Sequence, residues 1–127
     1  MSTSAFLTGS PHAVVGASAD RAKYGNKVLR TYLGHDMPVY AVNPNVEGQI
    51  EGVPAFATLA DLPVRVHGIS VITPPEVTEQ IVEDAVAAGI ANIWMQPGAE
   101  SDRAVKRARD AGINVIAGGP CILVELG

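Results

Sequence analysis

Residues 12–25, HAVVGASADRAKYG, decide the reading of this chain. An apolar run ends in Gly16-Ala17-Ser18, and Arg21 and Lys23 stand just before a helix expected to begin near Tyr24 or Gly25. Strand, tight turn and helix in that order have the layout of a phosphate cradle. Gly16 lets the chain leave the strand in a conformation closed to other residues and lets a ligand approach the peptide closely. Ser18 adds a hydroxyl, and the unpaired N–H groups and partial positive charge at a helix start suit a diphosphate. Arg21 and Lys23 would add to the attraction. A plainer reading is also open, in which Gly16 only tightens a turn and both basic side chains are solvated, because short glycine patterns recur without a ligand.

Working outward, five β-type runs stand out: His12 to Ala17, Pro38 to Val42, His67 to Ile72, Ala91 to Met95 and Asn114 to Ala117. Each is short and apolar without strict alternation, which predicts strands covered on both faces of a parallel sheet. The segments between them carry helical spacing. Val28, Leu29, Tyr32 and Leu33 form one stripe, with Gly34 as its stop. Pro75 opens a second helix whose expected buried face is Val77, Ile81, Val82, Ala85 and Val86, ending at Gly89. A third runs from about Ser101 to Ala111, burying Ala104, Val105 and Ala108 while Arg103, Lys106, Arg107 and Arg109 face water. Thr58 to Asp61 reads as a short helix with a capping box. The pattern βαβαβαβαβ predicts one α/β domain over 1–127, a doubly wound, mainly parallel, five-stranded Rossmann-like sheet with helices on both faces. Residues 1–11 are expected to be a short N-terminal segment, loosely packed or capping.

Composition narrows the function. A chain of 127 residues suits one domain and one main site, and no apolar run is long enough to cross a bilayer. The N-terminal segment lacks the pattern of a secretory or transit peptide. Cys121 is the single cysteine, so no intrachain disulfide forms and a reducing cytoplasm is the expected compartment. A net charge of −4 and few aromatic residues argue against a nucleic-acid partner. An anionic ligand needs a local basic patch, which Arg21, Lys23, Lys27 and Arg30 offer around the first turn.

In a doubly wound sheet the ligand lies outside the carboxyl ends of the strands. The residues there are Gly16-Ala17-Ser18, Asn43-Pro44-Asn45, Thr73-Pro74-Pro75, Gln96-Pro97-Gly98 and Gly118-Gly119-Pro120-Cys121. Prolines fix the backbone and remove donors, leaving rigid, largely uncharged walls for a flat ring such as adenine. Strand ends also need turns for their own sake, so each loop alone has an ordinary explanation. NAD-binding domains place an acid after the second strand to hold the ribose; Asn43 stands there, and the first turn lacks the second glycine of the dinucleotide fingerprint. A Walker loop fails as well, because Tyr24 rather than a hydroxyl residue follows Lys23.

These residues resemble the small stand-alone CoA-binding proteins and, more distantly, the CoA-binding domain that opens the succinyl-CoA synthetase α subunit. The likeness covers nearly the whole chain. It rests on VVGAS followed by a basic segment and Tyr24-Gly25, on VNPN with Gly48 and Gly52, on TLADLP, on IWMQPGA, and on a Cys and a Glu close to the C-terminus. The resemblance implies CoA with its phosphates near Gly16, Ala17, Ser18 and the basic loop through Arg21 and Lys23. The nucleotide end would lie against Asn43 and Pro44, Thr73 and Pro74, and Gln96, Pro97 and Gly98. Relatives often carry Lys where Asn45 stands, Arg near Thr73, and an Asp-Arg pair where Gly119 and Pro120 stand.

Candidates for catalysis are few. His12 and His67 begin strands, at the end of the sheet away from the ligand, and His35 follows a helix stop. Separated histidines and a lone cysteine predict no metal site. Cys121 is the one available nucleophile, able in principle to form a mixed disulfide with CoA or accept an acyl group, but a cysteine in an apolar tail is more often a small buried hydrophobe. The expectation is a non-catalytic module for CoA or acyl-CoA serving as sensor, carrier or accessory subunit, with a homodimer or partner protein in view. Alternatives are an NAD(P)-type oxidoreductase or a ligand-free interaction domain on the same fold.

Overall fold

The computed structural model describes residues 3–126. In chain order the elements are α1 (Thr3–Leu7), β1 (His12–Val15), α2 (Tyr24–Gly34), β2 (Val39–Val42), β3 (Gln49–Ile50), β4 (Val53–Phe56), a 3₁₀ turn (Leu59–Asp61), β5 (Gly68–Val71), α3 (Pro75–Ala88), β6 (Asn92–Met95), α4 (Asp102–Asp110), β7 (Asn114–Ile116) and α5 (Ile122–Leu126). They form one sheet in the order β3-β4-β2-β1-β5-β6-β7. Every pairing is parallel except β3 with β4.

All five expected strands are present, each trimmed by a residue or two, and the sheet has seven strands rather than five. The two additions are the β3–β4 hairpin. Ile50 pairs with Val53 across a two-residue turn in which Glu51 has φ 52° and Gly52 has φ 79°. Positive φ at both central positions defines the type I′ hairpin turn, whose twist matches that of its strands. Pro54 is tolerated in β4 because the pairing with β2 begins only at Ala55, so no ladder bond to β2 is lost at Pro54.

Side chains of successive strand residues enter opposite layers. Ala13 and Val15 of β1 pack with Ile69, Ile93 and Met95 against Val82 and Ala85 of α3 and Ala104 and Ala108 of α4. Val14 faces the other way, with Ala41, Trp94 and Ile116, against Val28, Leu29 and Tyr32 of α2 and Ile122 of α5. Phe6 of α1 is fully buried in this second layer, edge-on to Trp94. Ser101 caps α4 by accepting from the Ala104 N–H at 3.0 Å, and Asp61 accepts from the Thr58 N–H at 3.2 Å. Two stripe residues depart from expectation: Leu33 and Val77 are exposed, Val77 because it faces a cavity rather than the sheet.

The chain moves from β1 to β2 on one side and returns to β5 on the other. The carboxyl ends of β1 and β5 therefore form the topological switch point, where α/β sheets open a crevice.

Candidate functional site

At that switch point Gly16 has φ +96°, and a Cβ there would fall on the Ile72 carbonyl oxygen. The contact arises because β1 stays bonded to both neighbours to its last residue: Gly16 N–H donates to Val42 O at 3.0 Å and Ile72 N–H to Val15 O at 2.8 Å. Gly25, in the first turn of α2, is equally constrained, since its Cβ would fall on the Gly16 carbonyl oxygen. Two glycines thus let the start of α2 sit directly on the turn after β1. No side chain caps α2 at Lys23, and no acid lies in its first turn. The positive end of the helix is thus met by neither a capping side chain nor an acid of its own first turn.

The loop between turn and helix is held by its own polar groups. Asn43 Nδ2–H donates to Ala17 O at 2.7 Å while its Oδ1 accepts from Asn45 N–H at 2.8 Å. Asn26 Nδ2–H donates to Ser18 O at 2.9 Å, and Ser18 Oγ accepts from Asp20 N–H at 3.1 Å. Asn43, read from sequence as a ligand contact, spends its amide on shaping the cradle.

A cavity of about 410 Å³ opens beside this turn. It brings together Gly16, Asn43, Pro44, Thr73 and Pro74 from the sequence reading, and adds Thr58, Leu59, Val77, Ile81 and Asp84. The size suits a nucleoside. Sequence reasoning missed Val77 and Ile81 because they were assigned to the buried face of the helix. A larger cavity of about 580 Å³ adjoins it beneath Pro63, Val64 and Arg65, sharing Thr58, Leu59 and Asp84, but no strand end opens into it.

The remaining candidates lie elsewhere. Arg21 and Lys23 are exposed and outside the cavity lining, and Arg21 lies 3.8 Å from Glu51 of the β3–β4 turn. Pro97 and Gly98 are exposed at the end of β6, also away from the cavity. Gln96 is fully buried; its Oε1 accepts from Tyr24 OH at 3.3 Å and from Ile122 N–H at 2.9 Å. The Tyr24 hydroxyl also hydrogen-bonds the Cys121 thiol. Cys121 is therefore half-buried in a polar contact at the start of α2 rather than packed as a hydrophobe in the tail. Burial and that contact push the Tyr24 hydroxyl's pKa upward, which keeps it protonated.

His12 and His67 sit at the amino end of the sheet and bind α1: their Nε2 atoms pair with Phe6 O at 2.9 Å and Ala5 O at 2.8 Å. Among the described residues no cluster of His, Cys, Asp and Glu could hold a metal ion. No described helix is long and apolar enough to cross a membrane.

A glycine turn after β1, an uncapped helix start and an adjoining apolar cavity agree with the comparison of the sequence with known families. The model for the CoA binding domain matches residues 11–127. The chain belongs to this family. It is 31% identical over 72 residues to acetate–CoA ligase [ADP-forming] I of Archaeoglobus fulgidus, a match spanning 57% of this chain and 10% of the ligase. Among solved structures it is similar to a conserved hypothetical protein from Pyrococcus furiosus, with 40% identity and a TM-score of 0.84 over 90% of this chain and 97% of that one. It is also similar to acetyl-coenzyme A synthetase 1 of Candidatus Korarchaeum cryptofilum, with 25% identity and a TM-score of 0.73 over 86% of this chain and 26% of that one. The matched region thus makes up nearly all of one similar protein and about a quarter of another.

Proposed function

We propose that the chain is a non-catalytic module that binds CoA or an acyl-CoA and presents it to a partner protein. The observation that carries this reading is the backbone cradle in which both Gly16 and Gly25 are sterically required. The diphosphate would take the turn over Gly16, Ala17 and Ser18 and the N–H groups at Tyr24 and Gly25. The adenosine would enter the cavity between Asn43-Pro44 and Thr73-Pro74, whose fixed backbones make flat walls. CoA supplies the thiol on which an acyl group travels as a thioester.

The residues beside the cradle support binding over catalysis. Cys121 is hydrogen-bonded to a hydroxyl held protonated, so Tyr24 is not a base that activates it. The histidines lie at the opposite end of the sheet. The ligase and synthetase relatives carry this domain as a minor part of a much longer chain, which favours a partner as the source of any chemistry here.

Titration calorimetry of the purified chain with CoA, at one stated salt concentration and with NAD as control, tests the reading. Saturable binding of CoA that ADP displaces and NAD does not match is the expected result. Tighter binding of NAD, or no binding of either, would replace it with the dinucleotide or ligand-free alternative.

A further inference from the structure

The lining of the cavity beside the cradle carries a single charge. Asp84 is its one ionisable lining residue, and no Lys, Arg or His lines it. Asp84 is there because α3 presents Val77, Ile81 and Asp84 on one face, at helical spacings of four and three. Its Oδ1 accepts from Gln80 Nε2–H at 3.0 Å, a bond within the same helix. Among the described residues no ion pair involves it, although it also lines the adjoining cavity, where Arg65 is the basic residue.

Position decides which part of a nucleotide meets this carboxylate. The cradle lies at the carboxyl ends of β1 and β5, where α3 begins. Asp84 follows Pro75 by nine residues, about 13 Å along the axis at 1.5 Å per residue. That is the far end of an adenosine whose diphosphate rests at Gly16. The walls in between, Leu59, Val77 and Ile81, are apolar and suit the faces of a ring. A carboxylate accepts hydrogen bonds and donates none, so the group it can hold is an N–H or an O–H; with the ribose next to the diphosphate, the donor that reaches past the apolar walls is the amino group of the base. A phosphate placed there would face a like charge with no cation in the lining.

Resting on the proposed binding of an adenosine diphosphate moiety, we propose that Asp84 is the base-specificity residue of this site, accepting from the exocyclic amino group of adenine. A purine with a carbonyl at that position would turn an oxygen toward the carboxylate. Discrimination would come from that repulsion as much as from the lost hydrogen bond.

The test compares ADP with IDP, which differ at the base alone, by calorimetry on the wild type and on Asp84→Asn. A hydrogen bond to a charged group sets the scale at about tenfold. The wild type is expected to bind ADP about tenfold more tightly than IDP, and Asp84→Asn to lose ADP affinity by a similar factor while narrowing the gap. The sign is diagnostic. If Asp84 does not touch the base, removing a negative charge from a site for a polyanion raises ADP affinity. Such a rise, or equal binding of ADP and IDP by the wild type, overturns the inference while leaving the cradle intact. Absence of binding by both nucleotides and by CoA overturns the module reading and this inference with it. Asp84 bonds only within its own helix, so a thermal melt serves as the folding control.

Discussion

Gly25→Ala is the substitution that most sharply separates ordinary helix behaviour from the demands of the cradle. Gly25 lies in α2 without positive φ, so propensity alone predicts that alanine stabilises by about 0.5–1 kcal/mol. The structure predicts the reverse, because the new methyl group lands on the Gly16 carbonyl oxygen. Overpacking costs about 1–3 kcal/mol, and the upper part of that range applies because backbone, unlike a flexible side chain, yields little. Subtracting the helical gain leaves a net loss of about 1–2 kcal/mol. Gly34→Ala, in the last turn of the same helix with nothing within 4 Å of the added carbon, is the control and gains up to about 1 kcal/mol. Urea unfolding followed by the single, fully buried Trp94 reads both. Gly25→Ala should lower the midpoint at constant slope while Gly34→Ala raises it. Equal shifts in the two variants would show that α2 does not rest on the turn as described.

Three further outcomes follow. Asn43→Asp keeps the acceptor for Asn45 N–H but removes the donor to Ala17 O, and should lose about 1–3 kcal/mol in the same unfolding assay; an unchanged midpoint would remove Asn43 from the cradle's support. Tyr24→Phe deletes the hydroxyl shared by Gln96 and Cys121, and should cost about 1 kcal/mol while speeding alkylation of Cys121 by iodoacetamide; an unchanged alkylation rate would contradict the contact. Burial lowers the pKa of His12 below its usual value, so between that lowered value and about 6.5 the unfolded chain binds more protons than the folded one. Stability from His12 is therefore present above about pH 6.5 and lost as pH falls below it, and His12→Gln should flatten that part of the stability profile.

The parallel sheet was legible because its strands are buried on both faces and read as plain apolar runs. The β3–β4 hairpin was not, for Gly48, Gly52 and Pro54 look like turn residues and hide two short strands whose Ile50 and Val53 are buried. A two-residue loop ending in glycine between short apolar stretches was the available signal. Missing it also hid Glu51, which receives Asn26 Nδ2–H at 3.1 Å and lies against Arg21, turning an apparently free basic residue into a paired one. Gly16 was recognisable from its place after a strand, whereas the need for Gly25 depends on a contact across nine residues that no local pattern encodes. Asp84 was equally hidden, because an acid on a helix stripe looks solvated until the cavity beneath it is seen.

The most direct test of the central claim is a two-dimensional amide NMR titration with CoA. The largest shifts are expected at the N–H groups of Gly16, Ala17, Ser18, Tyr24 and Gly25, with a second set at Thr73 and Ile81. Shifts centred instead on Val64 and Arg65, in the neighbouring cavity, would show that the glycine turn is not the phosphate site.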